Sequence, residues 1–481
     1  SLSNRTWVIS NLYLLMNRKR LILQYVLSDI LASLIVWVVF MIFRKVVNDG
    51  LLFQGLWVMI PNYNFFSSLS VFPLLCLFIH YLSGFYIQPH RQNALNTILT
   101  TFTASAFISI VIFFALLIDD VVVSYQHYYY SLLVLFGLQF VVTSAFRAMV
   151  NSQVKQNYRT KKWTINTLIV GTGKNAQRIA EEFERSEERN TLVGFVSTNQ
   201  QISVPAEKVL GNMSQLATII GNHQIQEAVV VLDNADEQQL FSVINSLYRF
   251  NIDIRFSPRL YEILTGSAKI KRIDMSPFVS ITTPNMSDWE SSMKRFFDIV
   301  FSVVSLILLL PLIIYSAIRI KRDSSGPVFY KQERIGRFGK PFHIIKFRTM
   351  YVGAESSVPK LSSATDDRIT PFGRILRKYR VDEIPQFWNI IRGDMSLVGP
   401  RPERRFYINQ IIEDAPYYCL LYKIRPGLTS WGPIKIGYTD TLEKMVERLN
   451  YDIIYLENMS LLNDLKILLY TLEIIFKGKG V

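Results

Sequence analysis

Long apolar runs dominate the first third of the chain. Four windows, 21–43, 68–87, 98–118 and 128–150, consist almost wholly of apolar residues. A bilayer core roughly 30 Å thick needs about 20 residues of helix, so these windows predict four transmembrane helices after an N-terminal segment over residues 1–20. The first run is too long for a signal peptide, and no small-residue cleavage site follows it.

Basic residues at the ends of these windows predict their orientation. Residues 1–20 and 147–162 carry Lys and Arg but no acid, whereas Asp119 and Asp120 lie between the third and fourth windows. Short basic loops prefer the cytoplasm, so we expect both ends of the four-helix region there. Asp29 lies inside the first window, where it serves either a polar contact between helices or a functional site.

A fifth apolar run, residues 296–318, has a different pattern. Pro311 interrupts it and removes a backbone donor from any helix there. Lys294 and Arg295 precede the run and Arg319 follows it, so both ends prefer the cytoplasm. The pattern favours a broken, re-entrant helix that enters and leaves by one face; a kinked fifth span is the alternative.

Between residues 163 and 272 short β-branched runs alternate with helical ones. The predicted strands are 165–170, 192–197, 228–232 and 252–256. This alternation indicates a Rossmann-like parallel sheet. Gly171, Gly173 and Ala176 form a G-x-G-x-x-A turn after the first strand, typical of nucleotide binding. The second strand ends in Ser197-Thr198 rather than in an acid, so the turn is either a nucleotide site or a packing device.

Composition and charge narrow the function. Half of the 481 residues are hydrophobic and the formal net charge is +14, while the mean hydropathy is +0.21. Between residues 319 and 380 there are fifteen Lys and Arg against five Asp and Glu. Such a segment suits an anionic partner, either lipid headgroups or a phosphorylated substrate. The two cysteines, Cys76 and Cys419, provide neither a disulfide framework nor metal-ligand spacing.

The candidate chemistry lies in the last third of the chain. Thr370 and Pro371 predict a helix start, with Arg374 and Arg377 on one face of the helix that follows. Asp382 and Glu383 then precede a second short helix predicted to end before Gly393. Adjacent carboxylates at a helix start are either ordinary capping groups or a nucleophile and a metal ligand beside a bound diphosphate.

The surrounding motifs favour the second interpretation. The stretch 377–402, which contains Asp-Glu-Ile-Pro-Gln and Gly-Asp-Met-Ser-Leu-Val-Gly-Pro-Arg-Pro, resembles the signature of bacterial polyprenyl-phosphate sugar-phosphate transferases. These are the large monotopic phosphoglycosyl transferases that initiate exopolysaccharide, capsule and O-antigen synthesis. The motifs at residues 294–298, 346–350 and 425–429 also match in order, and the resemblance covers residues 290–481. One departure is Leu310-Pro311, where the family usually has Ser-Pro.

The resemblance implies a two-step transfer. Asp382 would attack the β-phosphate of a UDP-sugar and release UMP, and undecaprenyl phosphate would then take the sugar phosphate. Glu383, together with Asp382, would bind Mg²⁺ (or Mn²⁺). The residues implied to contact substrate are, for the phosphates, Arg377, Lys346, Arg348 and Arg374, and, for the nucleotide, Pro400, Arg401 and Pro402.

The fold class predicted overall is a membrane protein of α plus α/β type. It combines a four-helix transmembrane bundle, a Rossmann-like domain and a mainly helical catalytic domain, residues 290–481, on a re-entrant membrane helix. We expect it in the bacterial inner membrane, with the catalytic domain on the cytoplasmic face, in contact with membrane lipids, without nucleic acid, and able to form a homodimer. The tail, residues 451–476, is predicted as a helix that lies on the membrane or packs on the core.

Two other functions fit parts of the sequence. A membrane-bound nucleotide sensor would regulate a polysaccharide assembly complex through the Rossmann-like domain. A lipid-surface scaffold would use the basic segment only to bind anionic headgroups. Neither accounts for the motifs around Asp382. The identity of the transferred sugar depends on a few pocket contacts that the sequence does not locate.

Overall fold

The computed structural model of the chain forms two compact units. It describes residues 2–49, 63–87, 94–119, 125–161, 163–185, 190–198, 203–233, 237–248, 250, 252–256, 279–280, 286–354, 366–437 and 441–476. The first unit comprises residues 1–164 and 288–293, and the second comprises residues 165–287 and 294–481. The Rossmann-like and catalytic regions therefore belong to the same unit.

The first unit is built from long helices. They are α1 (Leu2–Asp49), α2 (Tyr63–Leu82), α3 (Ala94–Asp119) and α4 (Tyr125–Arg159). Each predicted window contains a long helix, and the predicted N-terminal segment continues into the first window as one helix. Within them, Lys19–Arg44, Ala94–Leu116 and Tyr129–Arg159 are long and apolar enough to cross a membrane.

The second window is the exception. Its apolar helical part, Ser67–Leu82, is shorter than the other three, and Pro73 lies inside it. The helix ends at Leu82 and the chain turns over residues 83–87, which the sequence predicts as the end of the span. Residues 120–124, between the third and fourth windows, lie outside the described part of the chain, as does the side chain of Asp119.

Asp29 lies at a polar contact between the helices. Arg147 Nε donates to Asp29 Oδ1 at 3.0 Å and Nη2 donates to Oδ2 at 2.7 Å. Tyr86 Oη donates to the same carboxylate at 2.6 Å, and Arg147 Nη1 donates to Thr101 Oγ1 at 2.8 Å. Arg147 is thus buried in the helix bundle, and its charge serves an ion pair instead of a basic loop. This bidentate pairing offsets the cost of burying two charges.

The second unit begins with a six-stranded sheet in the order β3-β2-β1-β4-β5-β6. Its strands are β1 (Ile165–Val170), β2 (Asn190–Ser197), β3 (Val209–Asn212), β4 (Glu227–Val230), β5 (Asp253–Phe256) and β6 (Val279–Ser280). Its helices are α5 (Lys174–Arg185), α6 (Leu216–Asn222) and α7 (Glu237–Tyr248). Strands β1 to β5 pair in parallel, and β6 pairs antiparallel to β5. The Rossmann-like prediction is confirmed.

Four of these strands match predicted ones, and two short ones do not. Strand β3 has the sequence Val-Leu-Gly-Asn, whose last two residues are depleted in strands, and β6 has only two residues. Residues 257–272, the end of the predicted domain, lie outside the described residues.

The remainder of the second unit is mainly helical. Its helices are α8 (Asp288–Leu308), α9 (Leu310–Asp323), α10 (Pro371–Lys378), α11 (Gln386–Arg392), α12 (Arg405–Asp414), α13 (Trp431–Ile436), α14 (Leu442–Glu457) and α15 (Leu461–Phe476). Its strands are β7 (Phe329–Ile335), β8 (Pro341–Phe347), β9 (Ser396–Val398) and β10 (Gly427–Thr429). Strands β7 and β8 form an antiparallel hairpin, and β9 pairs in parallel with β10.

The predicted break in the fifth apolar run is present. Helices α8 and α9 meet at Leu309 with a bend of 61°. Pro311 has no N–H to donate to Ile307 and lies in the first turn of the second helix, which begins at Leu310. Leu309 N still donates to Ser305 O at 2.9 Å, and Ile313 N donates to Leu309 O at 2.9 Å. The backbone therefore bends without a serine at position 310.

Helix α7 of the Rossmann-like region packs on the 3₁₀ helix Pro416–Lys423 of the catalytic region. Asn245 Nδ2 donates to Pro416 O at 2.9 Å, and the rings of Tyr248 and Tyr422 pack edge to face. Cys419 is buried in the same apolar cluster as Leu247. This shared core explains why the two regions form one unit.

The tail, predicted as one helix, is divided between two, because α14 ends at Glu457 and α15 begins at Leu461. Helix α15 packs against the catalytic core. Ile467 of α15 is fully buried, and Thr471 Oγ1 lies 2.6 Å from Thr429 Oγ1 on β10. Leu465 and Leu469 on the same helix stay exposed. One face of the amphipathic helix thus covers the core, and the other is apolar and open.

Candidate active site

Two adjacent carboxylates lie in a tight turn between α10 and α11. Asp382 and Glu383 belong to the 3₁₀ turn Val381–Glu383, and the helix after Pro385 ends at Arg392, before Gly393, as the sequence predicts. Arg380, which precedes the turn, has a left-handed backbone with φ 54° and ψ 23°. A non-glycine residue in this region costs about 1–3 kcal/mol and persists where the surroundings hold it, often at functional sites.

Helix α10 positions this turn. Thr370 Oγ1 accepts the N–H of Gly373 at 3.0 Å, and Pro371 is the first helical residue. Both features are those predicted for the helix start. The short helix ends at Lys378, and its last turn carries Arg377 towards the carboxylates.

Three cations surround Glu383. Lys346 Nζ lies 3.1 Å from Oε1, Arg380 Nη1 lies 3.3 Å from Oε2, and Arg401 Nη1 lies 3.8 Å from Oε1. Burial alone would raise the pKa of Glu383, but Lys346, Arg380 and Arg401 outweigh it and the pKa is lowered. Glu383 is therefore ionised throughout the physiological range.

Asp382 has the opposite behaviour. Only 9% of the residue is exposed. Burial, and then the charge of Glu383, raise the pKa of Asp382 to about 6, while Lys346 and Arg377 oppose the rise. The group is therefore more basic than an ordinary aspartate. A buried, basic carboxylate among cations is suited to attack an electrophilic phosphorus.

The other predicted phosphate ligands divide into two groups. Arg377 Nε donates to Thr349 Oγ1 at 2.9 Å, and its charge acts on Asp382. Arg348 instead donates to the carbonyls of Ser324 and Ser325, both at 2.7 Å, and so closes the loop after α9. Arg374 is exposed on α10. The structure thus brings Lys346 and Arg377 to the carboxylates, but engages Arg348 elsewhere and leaves Arg374 in solvent.

The sequence interpretation missed Arg380. Its guanidinium is one of the three cations on Glu383. A signal existed, because residues three apart in a helical turn share a face, and Arg380 precedes Glu383 by three. The left-handed backbone that brings the two together was not predictable from this pattern.

The predicted nucleotide segment leaves the sheet beside the carboxylates. Pro400, Arg401 and Pro402 follow β9 after Gly399, and Pro400 O accepts the N–H of Gly427 at 2.9 Å. Arg401 turns its guanidinium towards Glu383. The segment and the carboxylate pair therefore form one site.

The donor set fits magnesium only in part. Among the described residues no three Asp, Glu, His or Cys side chains are grouped as a metal site. Asp382 and Glu383 supply two carboxylates, and Mg²⁺ commonly binds through one or two carboxylates, waters and substrate phosphates. A magnesium ion therefore fits here together with a phosphorylated substrate rather than in a site made wholly of protein.

The bent helices are fastened to this site by charged residues at their start. Arg295 donates to Ile390 O at 2.7 Å and to Ile391 O at 2.9 Å, at the end of α11, where a cation is favourable. Lys294 pairs with Asp464 at 2.5 Å. Asp298 accepts the N–H of Leu397 at 2.9 Å, rather than forming an ion pair with Lys294 or Arg295.

The glycine turn of the Rossmann-like region is already occupied by a carboxylate. Gly171 and Gly173 lie in the turn after β1, and Ala176 is buried on α5. Asp233, from the loop after β4, accepts hydrogen bonds from Asn175 N at 3.3 Å and from Asn175 Nδ2 at 2.7 Å. A Cβ at Gly173 would lie 2.1 Å from Asp233 Oδ2. Asp233 thus takes the place at the helix start where a phosphate binds in dinucleotide sites.

Two family models match the chain. Residues 289–478 match the model described as bacterial sugar transferase, and residues 82–258 match the model described as CoA-binding domain. The first match covers the bent helices and every residue of the carboxylate site. The second covers the glycine turn, whose residues do not fit the phosphates of CoA because Asp233 holds that place.

Several relatives are similar to the same region. The chain is 34% identical over 230 residues to UDP-N-acetylgalactosamine-undecaprenyl-phosphate N-acetylgalactosaminephosphotransferase of Aeromonas hydrophila, which covers 48% of this chain and 54% of that protein. It is 32% identical over 270 residues to UDP-glucose:undecaprenyl-phosphate glucose-1-phosphate transferase of Escherichia coli strain K12, covering 56% and 58%. It is 41% identical over 180 residues to the protein of the same name from Caulobacter vibrioides, covering 37% and 67%.

These similarities show the family. The chain belongs to the bacterial sugar transferases, as its motifs predict. It spans a little over half of the length of the Aeromonas and Escherichia relatives. A solved structure, UDP-D-quinovosamine 4-dehydrogenase of Vibrio fischeri, matches 24% of the chain at 16% identity and a TM-score of 0.20, and no conclusion is drawn from it.

Proposed function

We propose that this chain transfers a sugar 1-phosphate from a UDP-sugar to undecaprenyl phosphate. The observation that carries the proposal is the adjacent carboxylates of Asp382, which is buried, and Glu383, which is partly buried, among cations that outnumber them. Such a cluster has an excess of positive charge until a phosphorylated substrate binds. The names of the Aeromonas and Escherichia relatives describe the same reaction class.

In the first step an Asp382 carboxylate oxygen bonds to the β-phosphorus of the UDP-sugar. The bond from that phosphorus to the oxygen bridging to the α-phosphate breaks, and UMP leaves with the electron pair. In the second step a phosphate oxygen of undecaprenyl phosphate attacks the same phosphorus. The aspartyl ester breaks, which restores the carboxylate and releases the lipid diphosphate sugar.

The side chains contribute mainly position and charge. Phosphoryl transfer needs little covalent assistance beyond alignment and neutralisation of the phosphate oxygens. Lys346, Arg377 and Arg401 supply that neutralisation, and Arg380 holds Glu383. Asp382 and Glu383 would hold Mg²⁺, which would supply positive charge at the diphosphate.

A nucleotide sensor is the weaker function for this chain. It requires an open anion site at Gly171 and Gly173, and the Asp233 carboxylate lies there. Negative charge at that place repels a phosphate. We therefore propose that the Rossmann-like region supports the catalytic region through α7 and does not bind a dinucleotide.

The proposal places the catalytic site at the cytoplasmic face of the bacterial inner membrane. It includes four transmembrane helices, with Ser67–Leu82 as the short one, and a re-entrant pair α8 and α9. The support is the 61° bend and the apolar side chains exposed along both helices, for example Phe297, Ile307 and Ile314. A homodimer stays a prediction, which the molar mass of the purified protein in detergent would check.

Cysteine labelling tests the re-entrant pair. In a chain whose own cysteines are replaced by Ala, Trp289→Cys and Lys321→Cys mark its two ends, and both positions are exposed. A re-entrant pair predicts that an impermeant thiol reagent labels both or neither from a given side. Labelling from opposite sides would show a crossing helix instead.

The reaction is tested by UMP release from a panel of UDP-sugars in the presence of Mg²⁺ and undecaprenyl phosphate. One or more sugars should give UMP, and Asp382→Asn should lower turnover roughly 10³-fold or more, as loss of a nucleophile does. Asp414→Asn, an exposed aspartate in the same region, is the matched control. Unchanged turnover in Asp382→Asn would remove Asp382 from the mechanism.

A further inference from the structure

A second buried charge cluster lies directly behind the nucleotide segment. Glu403 follows Pro402 and is only 4% exposed, and Arg448 on α14 is also 4% exposed. Arg448 Nη2 donates to Glu403 Oε1, and Arg334 Nη1 of β7 lies 3.2 Å from Glu403 Oε2. Three parts of the catalytic region thus converge on one carboxylate.

The fold makes room for this cluster. A Cβ at Gly432, on α13, would lie 2.2 Å from Arg448 Cγ. Only a glycine there lets the arginine stem pass beneath the helix. The close approach to Gly432 restricts the Arg448 side chain to one path through the core, which places its guanidinium at Glu403.

Glu403 is charged in this setting. Burial alone would raise the pKa of Glu403, but Arg448 and Arg334 outweigh burial and lower it. Buried charges are costly unless paired, and removing one partner leaves the others uncompensated. An apolar core would stabilise the fold as well, so the charges are better explained by what they hold in place.

What they hold is the backbone that carries Arg401. Arg334 Nη1 donates to Pro402 O at 3.1 Å, and Glu403 O accepts the N–H of Ile335 at 3.0 Å. The backbone of the segment is therefore fixed to β7 by hydrogen bonds at Pro402 and Glu403. The guanidinium of Arg401, from the same segment, faces Glu383.

We propose that Glu403 and Arg448 are positioning residues for the nucleoside diphosphate of the donor. They fix the backbone position of segment 400–402, so that Arg401 reaches the donor phosphates and the two prolines flank the nucleoside. Both side chains would act on the donor through Arg401 and not by contact with it. The inference rests on the proposed function and names residues that the sequence motifs do not single out.

The test compares Glu403→Gln with a matched substitution elsewhere. Glu403→Gln keeps the shape but removes the charge that holds two arginines. The KM for the UDP-sugar should rise about 10- to 100-fold, as when a supporting residue is lost, while kcat falls less. Glu403→Asp should recover part of the loss. The affinity for UMP, measured by calorimetry, should weaken in parallel with KM.

Glu227→Gln is the control. Glu227 is a buried glutamate paired with Arg255 at 3.0 Å in the Rossmann-like region, away from the carboxylate site. It should lower the melting temperature and leave KM and UMP affinity unchanged. If Glu403→Gln also changed only the melting temperature, the positioning role would be refuted.

The calorimetry separates this inference from the proposed reaction. A wild-type protein that binds UMP but releases none from any UDP-sugar would refute the reaction, and loss of UMP binding in Glu403→Gln would still support positioning. A wild-type enzyme that turns over normally beside a Glu403→Gln variant with unchanged KM and UMP affinity would refute positioning alone.

Discussion

The two regions of this protein bury charge in opposite ways. In the helices of the first unit one carboxylate, Asp29, meets one guanidinium, Arg147, and hydroxyls complete the set. In the second unit two carboxylates share a turn among more cations than they can neutralise. Those groups are Asp382 and Glu383 against Lys346, Arg377, Arg380 and Arg401.

This difference distinguishes a structural charge pair from a catalytic charge cluster. A balanced pair has no remaining charge to offer a ligand, and its directional hydrogen bonds tie helices together. An unbalanced cluster is costly when empty, because like charges lie close together at low dielectric. Such an arrangement is expected where an anionic substrate completes it. The same contrast applies to Asp233, which neutralises a helix start that would otherwise attract phosphate.

Removing Glu383 should test the unbalanced cluster without removing the proposed nucleophile. Glu383→Gln leaves Lys346, Arg380 and Arg401 without their common partner. Turnover should fall roughly 10²-fold or more, the scale of losing one electrostatic contribution in an active site. The measurement is steady-state UMP release. The control is Glu333→Gln, at an exposed glutamate on β7, which should behave as wild type. Equal turnover in Glu383→Gln and Glu333→Gln would contradict a catalytic role for the unbalanced cluster.

Much of the catalytic region was predictable from the sequence, because local signals determine it. Thr370 and Pro371 start α10 as capping rules require, and Pro311 breaks the apolar helix where it removes a donor. The carboxylate pair follows from its motif. These features depend on neighbours within a few residues.

What the sequence did not predict depends on contacts between distant residues. The sequence pattern predicts Arg147 as part of a basic flank, but its side chain pairs with Asp29, 118 positions away. The motif predicts Arg348 as a phosphate ligand, but its guanidinium donates to the loop after α9. Asp233 occupies the glycine turn from a different loop, and only the parallel sheet brings these two loops together. No local pattern encodes such pairs.

Breaking the balanced pair should cost stability instead of chemistry. Asp29→Asn leaves Arg147 as an uncompensated buried charge, and the free energy of unfolding should fall by about 3–5 kcal/mol. Thermal unfolding in detergent measures this, and the folded fraction should keep its turnover. The double variant Asp29→Leu with Arg147→Met should regain part of the loss. Full stability combined with lost turnover in Asp29→Asn would mean that this pair also serves the reaction.

The pH profile tests the raised pKa of Asp382. Since the nucleophile must be ionised and its pKa is about 6, kcat/KM should fall about tenfold per pH unit below that value. Lys346→Met removes a cation that favours the ionised form, so the falling limb should move to higher pH. Circular dichroism across the same range checks that the protein stays folded. A flat profile down to pH 4.5 would contradict the assignment.

The smallest expected effect is the difference in kcat/KM between substitutions of the two arginines of α10. Arg377 acts on Asp382, and Arg374 is exposed on the same helix. Arg377→Ala should lower kcat/KM about tenfold, as loss of a charge-assisted contact does, while Arg374→Ala should stay within about twofold, as surface substitutions do. Equal losses in UMP release would mean that Arg374 moves to the substrate during turnover.

The most direct test is to trap the phosphorylated enzyme. Incubated with a UDP-sugar that supports turnover, Mg²⁺ and no lipid acceptor, then quenched in acid and digested, the protein should yield a peptide spanning residue 382 that is heavier by one sugar phosphate. Fragmentation should assign the added mass to Asp382, and undecaprenyl phosphate should discharge it. Assignment of that mass to another residue, or turnover with no modified peptide under rapid quenching, would contradict the account.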